Sequence, residues 1–190
     1  MKKQLLNCWK ITTNILIIAT IIILSSCGNT NEEEKMEREI DPLDYKDDLE
    51  AVNKELNQKE AEDINDYIQR YGWKMQETGS GLRYYIYQET NLEGKKVEKA
   101  KIITVKFNVN LLNGVKCYNS EEDGNKEFIL GRSTEISGLE EGLLLMKEGD
   151  KAKLIVPSHL AYGLLGDQEK IPMRATLIYD VEVLKVRELE

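Results

Sequence analysis

The chain has 190 residues, 41% apolar, 7% aromatic and 32% charged, which is enough for one ordinary domain with a tail and too few for two full-sized ones. Its 26 Lys and Arg against 34 Asp and Glu leave a formal charge of −8 and a pI near 5.0, which argues against the basic face that a nucleic-acid partner needs. One histidine and three cysteines, none in a C-x-x-C or H-x-x-x-H pair, speak against a structural zinc site and a disulfide scaffold, and neither metal nor cofactor is expected.

Taken in chain order, residues 1–26 carry Lys2, Lys3 and Lys10 and no acid, followed by an apolar stretch from Ile15 to Leu24. Ten residues rise about 15 Å as a helix, roughly half a hydrocarbon core, so residues 1–26 are expected to be a cleaved signal peptide rather than a span. The stretch ends in Leu24-Ser25-Ser26-Cys27, which resembles the bacterial lipobox. That resemblance implies a diacylated Cys27 as the mature N-terminus and attachment to a membrane through its lipid, each buried CH₂ being worth about 0.8 kcal/mol. The plainer alternatives are an ordinary signal peptide or an anchor helix with an incidental cysteine. Loss of the three lysines takes the charge from −8 to −11, and lipidation of Cys27 leaves Cys117 as the lone thiol. Residues 27–48 read as a lipidated acidic linker. Its Glu32-Glu33-Glu34 run resembles surface-export signals of some Gram-negative lipoproteins, although a solvated tether is the simpler reading.

Residues 49–75 are expected to be a helical lead-in. From Asp44 to Tyr71 the composition favours helix without Gly or Pro, and Asn57 with Glu60 has capping-box spacing. Ala61, Ile64, Ile68 and Tyr71 share a face, and Gly72 is placed to end the helix. That face is expected to dock on the chain's own domain or on a second copy, helped by Trp73 and Met75. After Thr78-Gly79-Ser80-Gly81 the period changes to two, and strands are predicted over 82–88, 101–112, 115–118, 126–130, 151–157 and 175–186. Asn113-Gly114 marks a hairpin turn whose first residue tolerates positive φ. One helix interrupts the strands. It is expected to open on a capping box of Ser137 and Glu140, to bury Leu139, Leu143 and Met146, and to stop at Gly149-Asp150. The pattern predicts an α+β fold, a curved antiparallel β-sheet half-barrel wrapped on one short α-helix, with an N-terminal helical extension.

Five spaced pieces carry a specific resemblance: Gly138-Leu139-Glu140-Glu141-Gly142; Met146, Gly149, Lys151 and Ala152; Ala161-Tyr162-Gly163; Ile171-Pro172; and Ala175-Thr176-Leu177 running into Tyr179-Asp180-Val181-Glu182. In order and spacing, residues 81–187 are similar to the FKBP family of peptidyl-prolyl isomerases. The lipobox, the lead-in ending Tyr71-Gly72-Trp73, and Cys117-Tyr118-Asn119-Ser120 resemble a lipoprotein branch of that family linked to gliding motility. The resemblance implies a bowl that binds an X-Pro segment, with Leu139 as floor where typical members place Trp. Its walls would be Phe107, Ile136, Tyr162, Ile171 and Tyr179, with Cys117 and Tyr118 as less certain substrate contacts in positions usually held by Phe and Asp. Lys126 replaces an aromatic, Glu135 a wall Val, and Asp167 the usual loop His, which makes the bowl shallower and less aromatic.

Isomerisation of this kind needs no nucleophile, base or metal. A water-poor apolar bowl favours the twisted, less polar peptide bond over the planar one, and that differential binding is catalysis. The Tyr162 hydroxyl is expected to donate to a substrate carbonyl, whereas an isolated Ile or Leu of the wall reads more readily as simple core. His159 has no motif-placed nucleophile to serve and is expected in a surface loop. Cys117 reads as apolar filler, and the Glu140-Glu141 pair as helix N-terminal stabilisation. The expected partners are proline-containing segments of exported proteins, with no nucleic acid. The expected location is the cell envelope, at the outer membrane on its periplasmic or surface side. A catalytically weak binding module using the same bowl is the rival reading; a purely structural envelope lipoprotein fits the intact Ala161-Tyr162-Gly163 loop poorly.

Overall fold

A computed structural model describes residues 46–90 and 94–189. The signal peptide, Cys27 and the linker up to residue 45 lie outside the described residues. The elements run α1 (Lys46–Tyr71), β1 (Gln76–Glu77), β2 (Arg83–Gln88), β3 (Ile102–Leu111), β4 (Lys116–Asn119), α2 (Ser120–Asp123), β5 (Lys126–Ile129), α3 (Ser137–Leu143), β6 (Lys151–Val156), a 3₁₀ turn (Ser158–Leu160) and β7 (Leu177–Arg187). The six predicted strands are all present within two residues of their expected ends; β1, α2 and the 3₁₀ turn are too short to leave a periodic signal.

The strands form one antiparallel sheet in the order β1-β2-β6-β7-β3-β4, with β5 also on β3. Two strands share one edge of β3: β5 pairs its first half, Ile102↔Ile129 to Val105↔Lys126, and β4 its second, from Asn108↔Asn119. Between the two ladders the Phe107 N–H would be orphaned, and it donates instead to the Ser120 Oγ of α2 at 2.9 Å.

Alternation decides which side chains meet. Ile103, Val105, Phe107 and Val109 of β3, Ala152, Leu154 and Val156 of β6, and Leu177, Tyr179, Val181 and Val183 of β7 all point to one face and bury against Leu139 and Leu143 of α3. A bulge places Leu184 between the pairs Val105↔Val183 and Thr104↔Lys185, so Val183 and Val186, three apart, both face the core. Helix α3 sits close on the sheet because two of its residues lack a side chain. A Cβ at Gly138 would collide with Val156, and one at Gly142 would lie 2.5 Å from Leu154 Cδ1.

The opposite face is covered by α1. Ile155 and Ile178 point outward there and pack with Ile64, Tyr67, Ile68, Trp73, Met75 and Leu112. Ile64 and Ile68 dock on the chain's own domain as the stripe predicted, but Tyr71 does not. It is 55% exposed and lies 4.5 Å from the Tyr67 ring and 5.4 Å from Trp73, because Tyr67 takes the inward position. Gly72 ends the helix at φ +64, with the Trp73 N–H returning to the Ile68 carbonyl at 3.1 Å.

Neither predicted capping box forms. Asn57 and Glu60 lie inside the continuous helix α1, and the Glu60 carboxylate is taken by Ser158 and Thr176. At α3 the N-cap is Ile136, with no side-chain cap; the Ser137 hydroxyl donates to the Leu160 carbonyl, and Glu140 accepts from the Gly131 N–H and the Ser133 hydroxyl. Glu60 was recruited by loop residues far along the chain, and Glu140 by the turn just ahead of its own helix. At the Asn113-Gly114 turn the positive φ (+86) falls on Gly114 alone, while Asn113 Oδ1 accepts from the Val115 N–H, giving a three-residue loop rather than a two-residue one. Among the described residues no helix is long and apolar enough to cross a membrane.

Candidate functional site

The residues expected to form the bowl arrive from five separate elements. Phe107 and Tyr179 come from the inner face of β3 and β7, Cys117 and Tyr118 from β4, and Ile136 and Leu139 from the entry and first turn of α3. Tyr162 and Ile171 stand on the long loop between the 3₁₀ turn and β7. All eight belong to or pack against one core cluster. Leu139 is 0% exposed, Phe107 1% and Tyr179 2%, so the floor is closed, whereas Tyr162 and Tyr118 are half-buried and form the mouth.

Loop hydrogen bonds set the position of Tyr162. The Gly163 N–H donates to the Ser158 carbonyl at 2.9 Å, and the Arg174 N–H to the Gly163 carbonyl at 2.8 Å, which folds the loop back on itself. Asp167 organises its far side. Its Oδ1 accepts from the backbone N–H groups of Glu169, Lys170 and Ile171, the last at 2.7 Å, and its Oδ2 accepts from the Tyr118 hydroxyl at 2.5 Å. Burial opposes ionisation of Asp167, but the Tyr118 hydroxyl and these N–H groups outweigh it and hold the carboxyl below the usual range.

Burial, then the charges of Glu135 and Asp167, push the Tyr162 hydroxyl above its ordinary pKa, so it keeps its proton at neutral pH. Among the described residues that hydroxyl has no hydrogen-bond partner, which leaves it free to donate to a ligand. Tyr179 is pushed well up, first by burial. Cys117 is raised by burial and then by the Asp167 charge, which keeps it a thiol; its Sγ lies 3.8 Å from the Lys170 carbonyl. His159 is exposed, with Nε2 2.9 Å from the Ser80 carbonyl, and the Ser80 hydroxyl donates to Glu141 at 2.7 Å. No nucleophile faces the imidazole in that arrangement.

Two pairings around the rim have no counterpart in the sequence reading. Lys126 Nζ bonds both Glu135 carboxylate oxygens at 2.8 Å and stands 5.3 Å from the centre of the Phe107 ring. Tyr118 pairs with Asp167, and Lys170 Nζ lies 4.6 Å from the centre of the Tyr118 ring. Four of the departures from the residues usual in the resembled family therefore meet in pairs: Lys126 with Glu135, and Tyr118 with Asp167. The opposite charges at 126 and 135, across a turn after β5, were the available signal for the first pair. Nothing local announces the second, whose members are 49 residues apart.

A closed apolar floor with one unpartnered donor at its mouth can hold a compact apolar ring and orient a carbonyl beside it. The family model described as FKBP-type peptidyl-prolyl cis-trans isomerase matches residues 93–184. An "FK506-binding protein" of Neisseria meningitidis is 44% identical over 97 residues, covering 50% of this chain and 88% of the relative. A "Probable FKBP-type peptidyl-prolyl cis-trans isomerase FkpA" of the same species is 38% identical over 109 residues, 57% of this chain but only 39% of the relative's length. The human "Peptidyl-prolyl cis-trans isomerase FKBP2" is 39% identical over 93 residues, 48% of this chain and 65% of the relative. Among solved structures, FkpA from Escherichia coli shares the fold with a TM-score of 0.58 at 23% identity, over 92% of this chain and 82% of the other. Matched at this identity across nearly the whole of a compact relative, and built on the same curved sheet and helix, the chain belongs to the FKBP-type peptidyl-prolyl cis-trans isomerase family.

Proposed function

We propose that this chain accelerates cis-trans isomerisation of X-Pro bonds in exported proteins, working from the cell envelope, where a lipid on Cys27 ties it to the outer membrane on the periplasmic or surface side. An unassisted X-Pro bond isomerises over tens to hundreds of seconds, behind a barrier of about 18–20 kcal/mol set by its partial double-bond character. The prolyl ring would rest on Leu139 between Phe107, Ile136, Ile171 and Tyr179, with Cys117 and Tyr118 at the rim. The Tyr162 hydroxyl would donate to the neighbouring carbonyl. As the C–N bond twists, the carbonyl loses charge separation, and the dry apolar floor favours that state over the planar one. The observation that carries the reading is the closed floor with the unpartnered Tyr162 hydroxyl at its mouth.

A protease-coupled isomerisation assay with the detergent-purified chain tests the activity: acceleration proportional to enzyme is expected, and none at micromolar enzyme refutes it. The anchor is tested separately. Cys27→Ser should abolish labelling by a fatty-acid analogue and release the chain from membranes; labelling that persists removes the lipoprotein reading. The lipobox, the lead-in ending Tyr71-Gly72-Trp73 and the Cys117-Tyr118-Asn119-Ser120 stretch support placing the chain in the lipoprotein branch associated with gliding motility.

One observation favours a second reading, a catalytically weak FKBP-fold chaperone or assembly-partner binding lipoprotein. The Lys126–Glu135 ion pair over the Phe107 ring puts charge at the rim of an otherwise apolar bowl. Binding of a proline-containing unfolded polypeptide without rate acceleration is the result that would favour it.

A further inference from the structure

Helix α1 lies on the sheet face opposite the bowl and well ahead of the stretch that the family model matches, yet one of its side chains holds both ends of the loop that carries Tyr162. Glu60 Oε1 accepts from the Ser158 N–H at 2.7 Å and from the Thr176 hydroxyl at 2.5 Å, and its Oε2 accepts from the Ser158 hydroxyl at 2.8 Å. Ser158 and Thr176 are buried, 4% and 6% exposed. Ser158 opens the 3₁₀ turn, and its carbonyl receives the Gly163 N–H next to Tyr162; Thr176 stands immediately before β7. Inside the loop, Arg174 donates through its backbone to Gly163 and through Nη2 to Asn57 Oδ1 of α1 at 3.3 Å.

The loop needs such a brace. Leu164, Leu165 and Met173 are 64%, 76% and 70% exposed, so little packing holds it from outside. Gly163, Gly166, Gln168 and Arg174 all have positive φ, and two of these are not glycine, a conformation that must be imposed from elsewhere.

We infer that Glu60 is a positioning residue of the isomerase: one carboxylate on α1 fixes the separation of Ser158 and Thr176, and thereby the placement of Tyr162 and Ile171 against the prolyl ring. The N-terminal helix is then part of the catalytic unit. This rests on the isomerase reading above. The link is steric and hydrogen-bonded, not a matter of charge, and a glutamine can reproduce it. Its amide oxygen accepts from the Ser158 N–H and the Thr176 hydroxyl, while its NH₂ donates to the Ser158 Oγ.

The test uses the full chain with Glu60→Ala, Glu60→Gln and Thr176→Val, at a temperature where circular dichroism shows each variant folded. The readouts are kcat and KM on a proline tetrapeptide, and hydrogen exchange of the Gly163 and Arg174 amides. Glu60→Ala should lower kcat/KM about fivefold, with a raised KM and a reduced kcat, and speed both exchanges about tenfold. Glu60→Gln should stay within about twofold of the unmutated chain, and Thr176→Val should fall between. An active chain whose Glu60→Ala variant melts lower but keeps its kcat/KM and its exchange sinks the positioning role alone. So does a Glu60→Gln variant as impaired as Glu60→Ala. If Glu60→Ala does not fold, Thr176→Val and Ser158→Ala each remove part of the clamp, and wild-type kinetics in both overturn it. A chain without isomerase activity before any mutation sinks the isomerase reading, and the positioning role with it.

Discussion

Removing the Tyr162 hydroxyl separates a catalytic donor from a structural one. The ring packs against the core cluster, and Phe keeps that contact; the hydroxyl is bound to nothing among the described residues, so folding loses no hydrogen bond. Tyr162→Phe should therefore melt within about 0.5 kcal/mol of the unmutated chain, the usual range for a substitution that breaks no buried interaction. If the hydroxyl bonds a substrate carbonyl, its loss removes about 0.5–1.5 kcal/mol from the transition state, a two- to tenfold fall in kcat/KM. The burial that raises its pKa keeps the donor protonated, so the deficit should be constant between pH 6 and pH 8, the span in which free imidazole titrates. Protease-coupled kinetics and a thermal melt on the same preparation read both quantities. His159→Gln, in an exposed turn against the Ser80 carbonyl, should leave the rate within error. If Tyr162→Phe destabilised the fold but left the rate intact, or if His159→Gln removed activity, the prolyl-bowl mechanism would be refuted.

Leu139→Ala leaves a cavity at a fully buried position and should cost about 2–5 kcal/mol in a denaturant melt, with a larger loss of activity than Tyr162→Phe; a loss below 1 kcal/mol would mean the floor collapses freely. Lys126→Met alone strands the 16%-exposed Glu135 side chain, whereas Lys126→Met with Glu135→Val removes both charges from above Phe107. A double-mutant cycle should show about 0.5–1.5 kcal/mol of coupling and kcat/KM at or above the starting value, and additive losses would count against the pairing. Because the Asp167 carboxyl titrates below its unfolded value, its stabilisation is present above about pH 4 and fades as pH falls through the folded pKa. The melting-temperature gap between the chain and Asp167→Asn should therefore narrow on acidification from pH 6 to pH 3; a gap independent of pH would show that the ionised carboxylate is not what braces the 167–171 turn.

The period-two runs by themselves determined six strands to within two residues, because each strand has one face in the core and alternation is then forced. Helical spacing determined equally that Ile64 and Ile68 would dock, and the glycine at 72 that the helix would end there. The residues proposed to line the bowl were legible only through resemblance. An Ile or Leu of the wall carries the same local pattern as any core residue, and six of the eight are in fact buried as core.

What tertiary structure decided was the fate of the polar side chains. Glu60 and Glu140 have the spacing of capping residues, but each found donors outside its own helix: Ser158 and Thr176, far along the chain, for Glu60, and Gly131 and Ser133, in the turn ahead of the helix, for Glu140. Lys126 met Glu135 above Phe107, and Tyr118 met Asp167 at the mouth. Burial of apolar surface is non-directional and follows from composition and period alone. A hydrogen bond depends on two groups arriving within about 3 Å at the right angle, and for groups far apart in the chain only the assembled sheet and its loops set that distance.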